Sequence, residues 1–298
     1  MVHGGAGSGR YGSGDARYAG LTGAVEAGLA ALRKGSGVDG AVAAVEYMEG
    51  SGLFNCGRGA YLTAEGKVEL DAAVMSGKKL AGAGVGSVTS THSPVTLARW
   101  VMENTEHVLL VGERTRDYVR LAGLEVEELI PSESVAKRFA AIRKEARHGE
   151  ALRMVGRFRT GDTVGAVAVG SDGVPAAAVS TGGTWMKLPG RVGDSAILGA
   201  GLFADSALGA SCATGTGEEI IRVGLCLKAC EFMEEDGAQR AAARAIEHIT
   251  RVRGEGTAGI ITVDLKGRVG AAFNTEAMGR AWFDHAKGKA VATVGPDS

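Results

Sequence analysis

Thr163 stands at an unusual place for a hydroxyl. It opens the apolar run TVGAVAVG directly after Gly161 and Asp162, where a polar stretch ends. Two readings are open. One is a β-branched residue that starts a strand. The other is scission of the bond between Asp162 and Thr163. That would give Thr163 a free α-amino group with an ordinary pKa of about 7.7 to 8.0, near enough to neutrality to act as general base for its own hydroxyl. Downstream, three turn-like runs follow strand-like segments: STGG at 180–183, GRVGD at 190–194 and ATGTGE at 213–218. The guanidinium of Arg191 can grip a carboxylate with two parallel hydrogen bonds and the carboxylate of Asp194 can hold an ammonium, so the pair suits an amino-acid head group. A solvated salt bridge is the alternative. The TGTG run opens a helix, where backbone N–H groups and the Thr214 hydroxyl serve either an oxyanion or an ordinary N-cap.

The elements that must position these residues follow from hydrophobic periodicity. Ala19, Leu21, Ala24, Val25, Leu29 and Leu32 recur at helical spacing over 16–34, with Gly35 as a stop. A second helix is expected over about 38–48 and a third over 94–103. Short strand-like runs are KVELDAAVM and GAGVGSVTS, with the apolar run HVLLVG after the third helix. The stretch 131–162 is crowded with basic residues, loses its helical pattern after about Arg147, and reads as an exposed linker. After it, TVGAVAVG and PAAAVST are spaced as a hairpin. GASCAT is a further strand, and GTGEEIIRVGLCLKACEFMEE reads as one long helix. GIITVDL and VGAAFNT form a last hairpin across Lys266 and Gly267. Paired strands and clustered helices without βαβ alternation argue for an α+β layered domain.

Composition narrows the classes further. The 298 residues carry 45% apolar side chains, enough for a sizeable core, and a formal net charge of −1, which gives no whole-chain pull toward nucleic acid or an anionic membrane. No apolar run reaches the ~18 residues of a spanning helix, and MVHGGAG has no signal-peptide pattern, so a cytoplasmic protein with a small ligand is expected. Cys56, Cys212, Cys226 and Cys230 lack CxxC spacing and read as buried thiols, the last two stacked on one helix face. The histidines offer no HxxxH or HExxH set, so no catalytic metal is expected. Gly7, Gly9 and Gly12 spell GxGxxG, yet only about two strand-like residues precede them, so the dinucleotide reading is rejected. The glycines of HGGAG fit better where backbone packs close to a site.

Taken together, VHGGAG (2–7), NCGRG (55–59), GDTVGAVAV (161–169), STGG (180–183), LPGRVGDS (188–195) and TGTGE (214–218) resemble the isoaspartyl peptidase and plant-type L-asparaginase family over nearly the whole chain. The resemblance implies a four-layer αββα sandwich of the N-terminal-nucleophile hydrolase type in a single domain. It implies autocatalytic cleavage into an α subunit, 1–162, and a β subunit, 163–298, and an (αβ)2 assembly. Thr163 matches the nucleophile, Thr181 the threonine that assists it, and Thr214 with Gly215 the oxyanion pair. Arg191 and Asp194 match the residues that hold the substrate's α-carboxylate and α-amino groups. Asn55 and Gly217 are expected beside the substrate. No organic cofactor is implied, but the turn from Leu53 to Cys56 resembles one that holds a structural sodium or potassium ion through backbone carbonyls. The implied reaction releases L-aspartate from L-asparagine or β-aspartyl dipeptides. Glycosylasparaginase and threonine aspartase share the nucleophile, and an uncleaved small-amino-acid binding module is the alternative from another class. Trp185, Met186 and Cys56 depart from the family pattern near the site.

Overall fold

In the computed structural model, which describes residues 1–7, 15–145 and 163–295, the strands gather into two sheets. The eight-stranded sheet holds β1 (Val2–Gly7), β2 (Leu70–Ser76), β3 (Gly82–Val88), β4 (Leu109–Val111), β5 (Val164–Val169), β6 (Pro175–Thr181), β11 (Ala277–Asp284) and β12 (Lys289–Thr293). Their order is β12-β11-β1-β5-β6-β2-β3-β4. The four-stranded sheet holds β7 (Leu202–Asp205), β8 (Gly209–Gly215), β9 (Ala258–Asp264) and β10 (Val269–Phe273), in the order β10-β9-β8-β7. The helices are α1 (Ala16–Leu32), α2 (Gly37–Ser51), α3 (Pro94–Asn104), α4 (Arg116–Val119), α5 (Glu133–Glu145), α6 (Gly217–Val223), α7 (Leu225–Asp236) and α8 (Ala238–Arg253). The class is α+β, as expected.

Period-2 alternation sorts each strand of the large sheet between two cores. Leu70, Ala72 and Val74 of β2, Val164 and Ala166 of β5, and Ala176 and Ala178 of β6 cluster with Leu21, Val45 and Val101 of helices α1, α2 and α3. Their neighbours of opposite parity, Ala73, Met75, Val167, Ala177 and Val179, cluster with Leu202, Ala204, Ala210, Cys212, Ile261 and Val263 of the small sheet. Ala213, Ala258 and Ile260, again of opposite parity, cluster with residues of α6, α7 and α8. The approach between the sheets is close enough to dictate residue size. A Cβ on Gly165 would fall 2.3 Å from Nε2 of His3 and 3.0 Å from Cβ of Cys212.

Local signals set the element ends. The Ser36 hydroxyl caps the Asp39 N–H and the Asp39 carboxylate returns to the Ser36 N–H, while Gly52 at φ 68° ends α2. Pro94 sits in the first turn of α3.

Several expectations need correction. The run 215–235 is two helices, because Gly224 adopts φ 60° and the N–H groups of Cys226 and Leu227 turn back to the carbonyls of Ala200 and Gly199. Within 131–162, α5 buries Val135, Phe139 and Ile142, an apolar stripe at helical spacing, so this part is not a plain exposed linker. Residues 146–162, Gly161 and Asp162 among them, lie outside the described residues. VHGGAG is itself strand β1, with antiparallel neighbours β11 and β5 on both sides. A dinucleotide fingerprint requires a parallel βαβ unit at this point, so the topology removes that reading. Gly9 and Gly12 lie outside the described residues. The hairpin β9–β10 is not the last of the chain, since β11 and β12 follow.

Leu202 is fully buried between the sheets. Leu202→Ala is expected to lower unfolding free energy by about 2 to 5 kcal/mol, read from urea denaturation; a change under about 1 kcal/mol would contradict this packing.

Candidate active site

The site begins as a row across three strands. Val164 lies opposite Ser180 in the β5–β6 register, which carries Thr163 opposite Thr181, and Asp71 of β2 lies opposite Thr181 on its other side. Directly opposed residues of antiparallel strands share a face, so Thr163, Thr181 and Asp71 all project toward the small-sheet side. The Thr163 hydroxyl donates to Oγ1 of Thr181 at 3.0 Å, and the Gly183 N–H donates to the same oxygen at 3.0 Å. Thr163 is 6% exposed, a nearly enclosed hydroxyl.

Asn55 braces this row from the turn after α2. Its Nδ2 donates to the Gly183 carbonyl at 2.6 Å, its Oδ1 accepts the Tyr61 N–H at 2.8 Å, and its carbonyl accepts the Gly182 N–H at 2.9 Å. With its amide spent on the backbone, Asn55 fixes the turn that follows Thr181. Trp185 stacks on Tyr61 with ring centroids 4.1 Å apart, and Met186 is buried at φ 62°; both pack into the helix-side core.

The second group is built around Gly217. A Cβ there would meet Oδ1 of Asp194 at 2.7 Å and Nη2 of Arg191 at 2.8 Å, so the bare α-carbon is what lets both side chains converge. Arg191 donates through Nε to Oε1 of Glu218 at 2.9 Å and is ion-paired with it. Asp194 is buried, and its Oδ2 has no hydrogen-bond partner. Burial pushes the Asp194 carboxyl up to about 7, against a smaller opposing pull from Arg191. Thr214 and Gly215 end β8, three and two residues before Gly217. Thr214 is buried, and Gly215 at φ 140° lets the chain pass close to the Thr257 carbonyl.

Glu69 and Asp71 link the two groups, and neither carries a recognisable motif in the sequence. The Asp71 carboxylate accepts the Ser87 N–H and the Gly193 N–H, each at 2.9 Å. The Glu69 carboxylate accepts the Gly190 N–H at 2.8 Å and the Ser87 hydroxyl at 3.0 Å. Lys187 is fully buried and donates to the Glu69 carbonyl at 2.8 Å. Burial lowers its pKa, while the nearby charge of Asp71 works in the opposite direction. The one sequence signal was alternation, which places two acids on a strand that reads as core.

His3 on β1 is buried against Gly165, and desolvation drops its pKa to about 3, so it is neutral at pH 7. All four cysteines are buried free thiols, Cys226 and Cys230 both on α7 as expected. Among the described residues no group of three or more His, Cys, Asp or Glu converges on a metal-sized site. Beside the 53–56 turn, a Cβ on Gly59 would fall 2.2 Å from the Phe54 carbonyl oxygen and 2.8 Å from that of Gly52.

The asparaginase family model matches residues 1–293 of the chain. The chain is 47% identical to a plant-type L-asparaginase of Pyrobaculum calidifontis, with 95% of each chain covered. It is 38% identical to the isoaspartyl peptidase/L-asparaginase of Danio rerio, over 97% of this chain and 92% of that one. It is also 38% identical to the isoaspartyl peptidase of Escherichia coli K12, over 88% and 84%. With a family match over this length and the motif residues gathered as described, the chain belongs to the asparaginase family.

Proposed function

We propose that this protein is a self-cleaving threonine hydrolase that releases L-aspartate from L-asparagine and from β-aspartyl dipeptides. The observation that carries the reading is the 3.0 Å contact between the hydroxyls of Thr163 and Thr181 at the head of β5. Thr163 is the nucleophile. Its hydroxyl first attacks the carbonyl carbon of Asp162, the peptide bond becomes an ester on Oγ1, and water then frees Asp162 and leaves Thr163 with an α-amino group. Residues 1–162 become the α subunit and 163–298 the β subunit of one hydrolase domain.

In the mature enzyme the α-amino group takes the proton as Oγ1 attacks the side-chain carbonyl of the substrate. The carbon–nitrogen bond breaks, ammonia or an amino acid leaves with that proton, and water hydrolyses the acyl-threonine to L-aspartate. Thr214 and Gly215 hold the oxyanion, and Thr181 orients the nucleophile. Arg191 takes the α-carboxylate and Asp194 the α-ammonium, with Asn55 and Gly217 beside them. Glu218 ion-pairs with the guanidinium, so the incoming carboxylate competes with it.

Three buried clusters support a four-layer αββα arrangement of the N-terminal-nucleophile type. The assembly read for this protein is (αβ)2, and no helix among the described residues is long and apolar enough to cross a membrane. Neutral carbonyl oxygens at the 53–56 turn suit a structural sodium or potassium ion better than a transition metal.

Thr163→Ala is expected to lower release of L-aspartate from L-asparagine by about a thousandfold or more, measured as coupled ammonia release; a variant within about tenfold of wild type would end the nucleophile assignment. The pH profile follows from Asp194. With its carboxyl raised to about 7 by burial, it is protonated below that pH and cannot hold an ammonium, so kcat/KM should climb as pH rises through about 7. The α-amino group of Thr163 titrates in the same sense at about 7.7 to 8.0. Asp194→Asn should therefore raise KM and leave only the amine limb, and a wild-type profile flat from pH 5 to 9 would contradict both roles.

A further inference from the structure

Asp71 occupies a junction that the reaction above does not use. Its main chain pairs with Thr181, which contacts Thr163, and its carboxylate accepts the N–H of Gly193, the residue next to Asp194 and two after Arg191. The other carboxylate oxygen is held by the N–H of Ser87, a non-glycine residue at φ 51° on β3. Glu69, two residues earlier, takes the Gly190 N–H, and its carbonyl takes the Lys187 ammonium. The loop 187–194 is thus tied to Glu69 and Asp71 at three points on either side of Arg191.

A fully buried carboxylate is a costly group to keep unless its geometry matters. An apolar side chain would fill the space, but it would leave the Gly193 and Ser87 N–H groups unpaired. An amide would serve only one of them, since its NH2 would face the other N–H.

We propose that Asp71 is a positioning residue that fixes the distance between the Thr163 hydroxyl and the Arg191–Asp194 head-group grip. The inference rests on the proposed function, because it assigns that grip to the α-carboxylate and α-ammonium. One consequence concerns chain length. A rigid spacing brings the carbonyl of an aspartyl side chain to Thr163, whereas a glutamyl side chain, one methylene longer, overshoots. Freeing the loop weakens substrate binding and relaxes that discrimination, but leaves self-cleavage intact, since the cleaved bond does not use the grip.

The test compares Asp71→Asn with wild type after both have been incubated and their chain masses taken. Four quantities are read: KM and kcat for L-asparagine, the ratio of kcat/KM for β-aspartyl over γ-glutamyl dipeptides, and the calorimetric Kd of L-aspartate. The variant should cleave itself normally and keep kcat within about threefold, while KM and Kd rise about five- to a hundredfold, the range for a buried N–H left unpaired, and the dipeptide ratio falls. A folded, cleaved variant with KM and Kd within about twofold of wild type overturns the proposal. So does a loss of kcat that tracks lowered thermal stability at unchanged KM. If Asp71→Asn does not fold, Glu69→Ala removes the acceptor of the Gly190 N–H, loosens the same loop there and should shift KM and Kd in the same direction by less; no shift there also overturns it. A wild type that releases no aspartate would sink the proposed reaction, whereas the L-aspartate Kd would still judge Asp71.

Discussion

Register among β5, β6 and β2 is the constraint on which the rest of the site depends. A slip of one residue in β5 would turn the Thr163 side chain from the small-sheet side into the helix-side core, where Val164 and Ala166 now sit. The register is pinned from both faces. Val164 and Ala166 fill one core and Val167 the other, and Gly165 admits the close contact with His3 and Cys212 that any side chain would obstruct. Thr163 is therefore placed by the packing of residues that have no part in the proposed chemistry. The same alternation aligns Thr181 and Asp71 beside it, so one pleat of the sheet carries the Thr163 hydroxyl, its hydrogen-bond partner and the carboxylate that anchors the loop at Gly193.

Polar groups buried at this depth must be satisfied, and the way they are satisfied explains the site's shape. The turn after Thr181 is closed by Asn55, and the loop carrying Arg191 is closed by Glu69, Asp71 and Lys187. Asp194 is one exception, with Oδ2 unpartnered and its carboxyl pushed up by burial. A buried carboxylate oxygen without a partner beside an arginine suits the α-ammonium assigned to it in the proposed reaction.

Much of the frame was legible in the sequence because single segments carried it. The short apolar runs around Val164, Pro175 and Ile260, bounded by turn residues, and the helical spacing from Ala16 to Leu32 each declare their element without reference to any other. The residues of the motif runs were visible too, as hydroxyls and charges at turn-like positions after strands. What escaped depended on distant partners. Glu69 and Asp71 look like two acids in an ordinary strand, and their role exists only when Gly190 and Gly193 come to them from more than a hundred residues away. The break at Gly224 was hidden because a glycine inside an apolar helical pattern signals little until the carbonyls of Gly199 and Ala200 draw the next turn aside. β11 and β12 find their place only in pairing, β11 beside β1 and β12 beside β11.

The central claim is that Thr163 is buried at the head of β5 in order to become an amino terminus. The direct measurement is the intact mass of the purified, incubated wild-type protein under denaturing conditions, with sequencing of the new amino end. Two chains, the second beginning at Thr163, are what this account predicts. A single uncleaved chain after prolonged incubation would contradict it and leave the fold as a binding module without the chemistry.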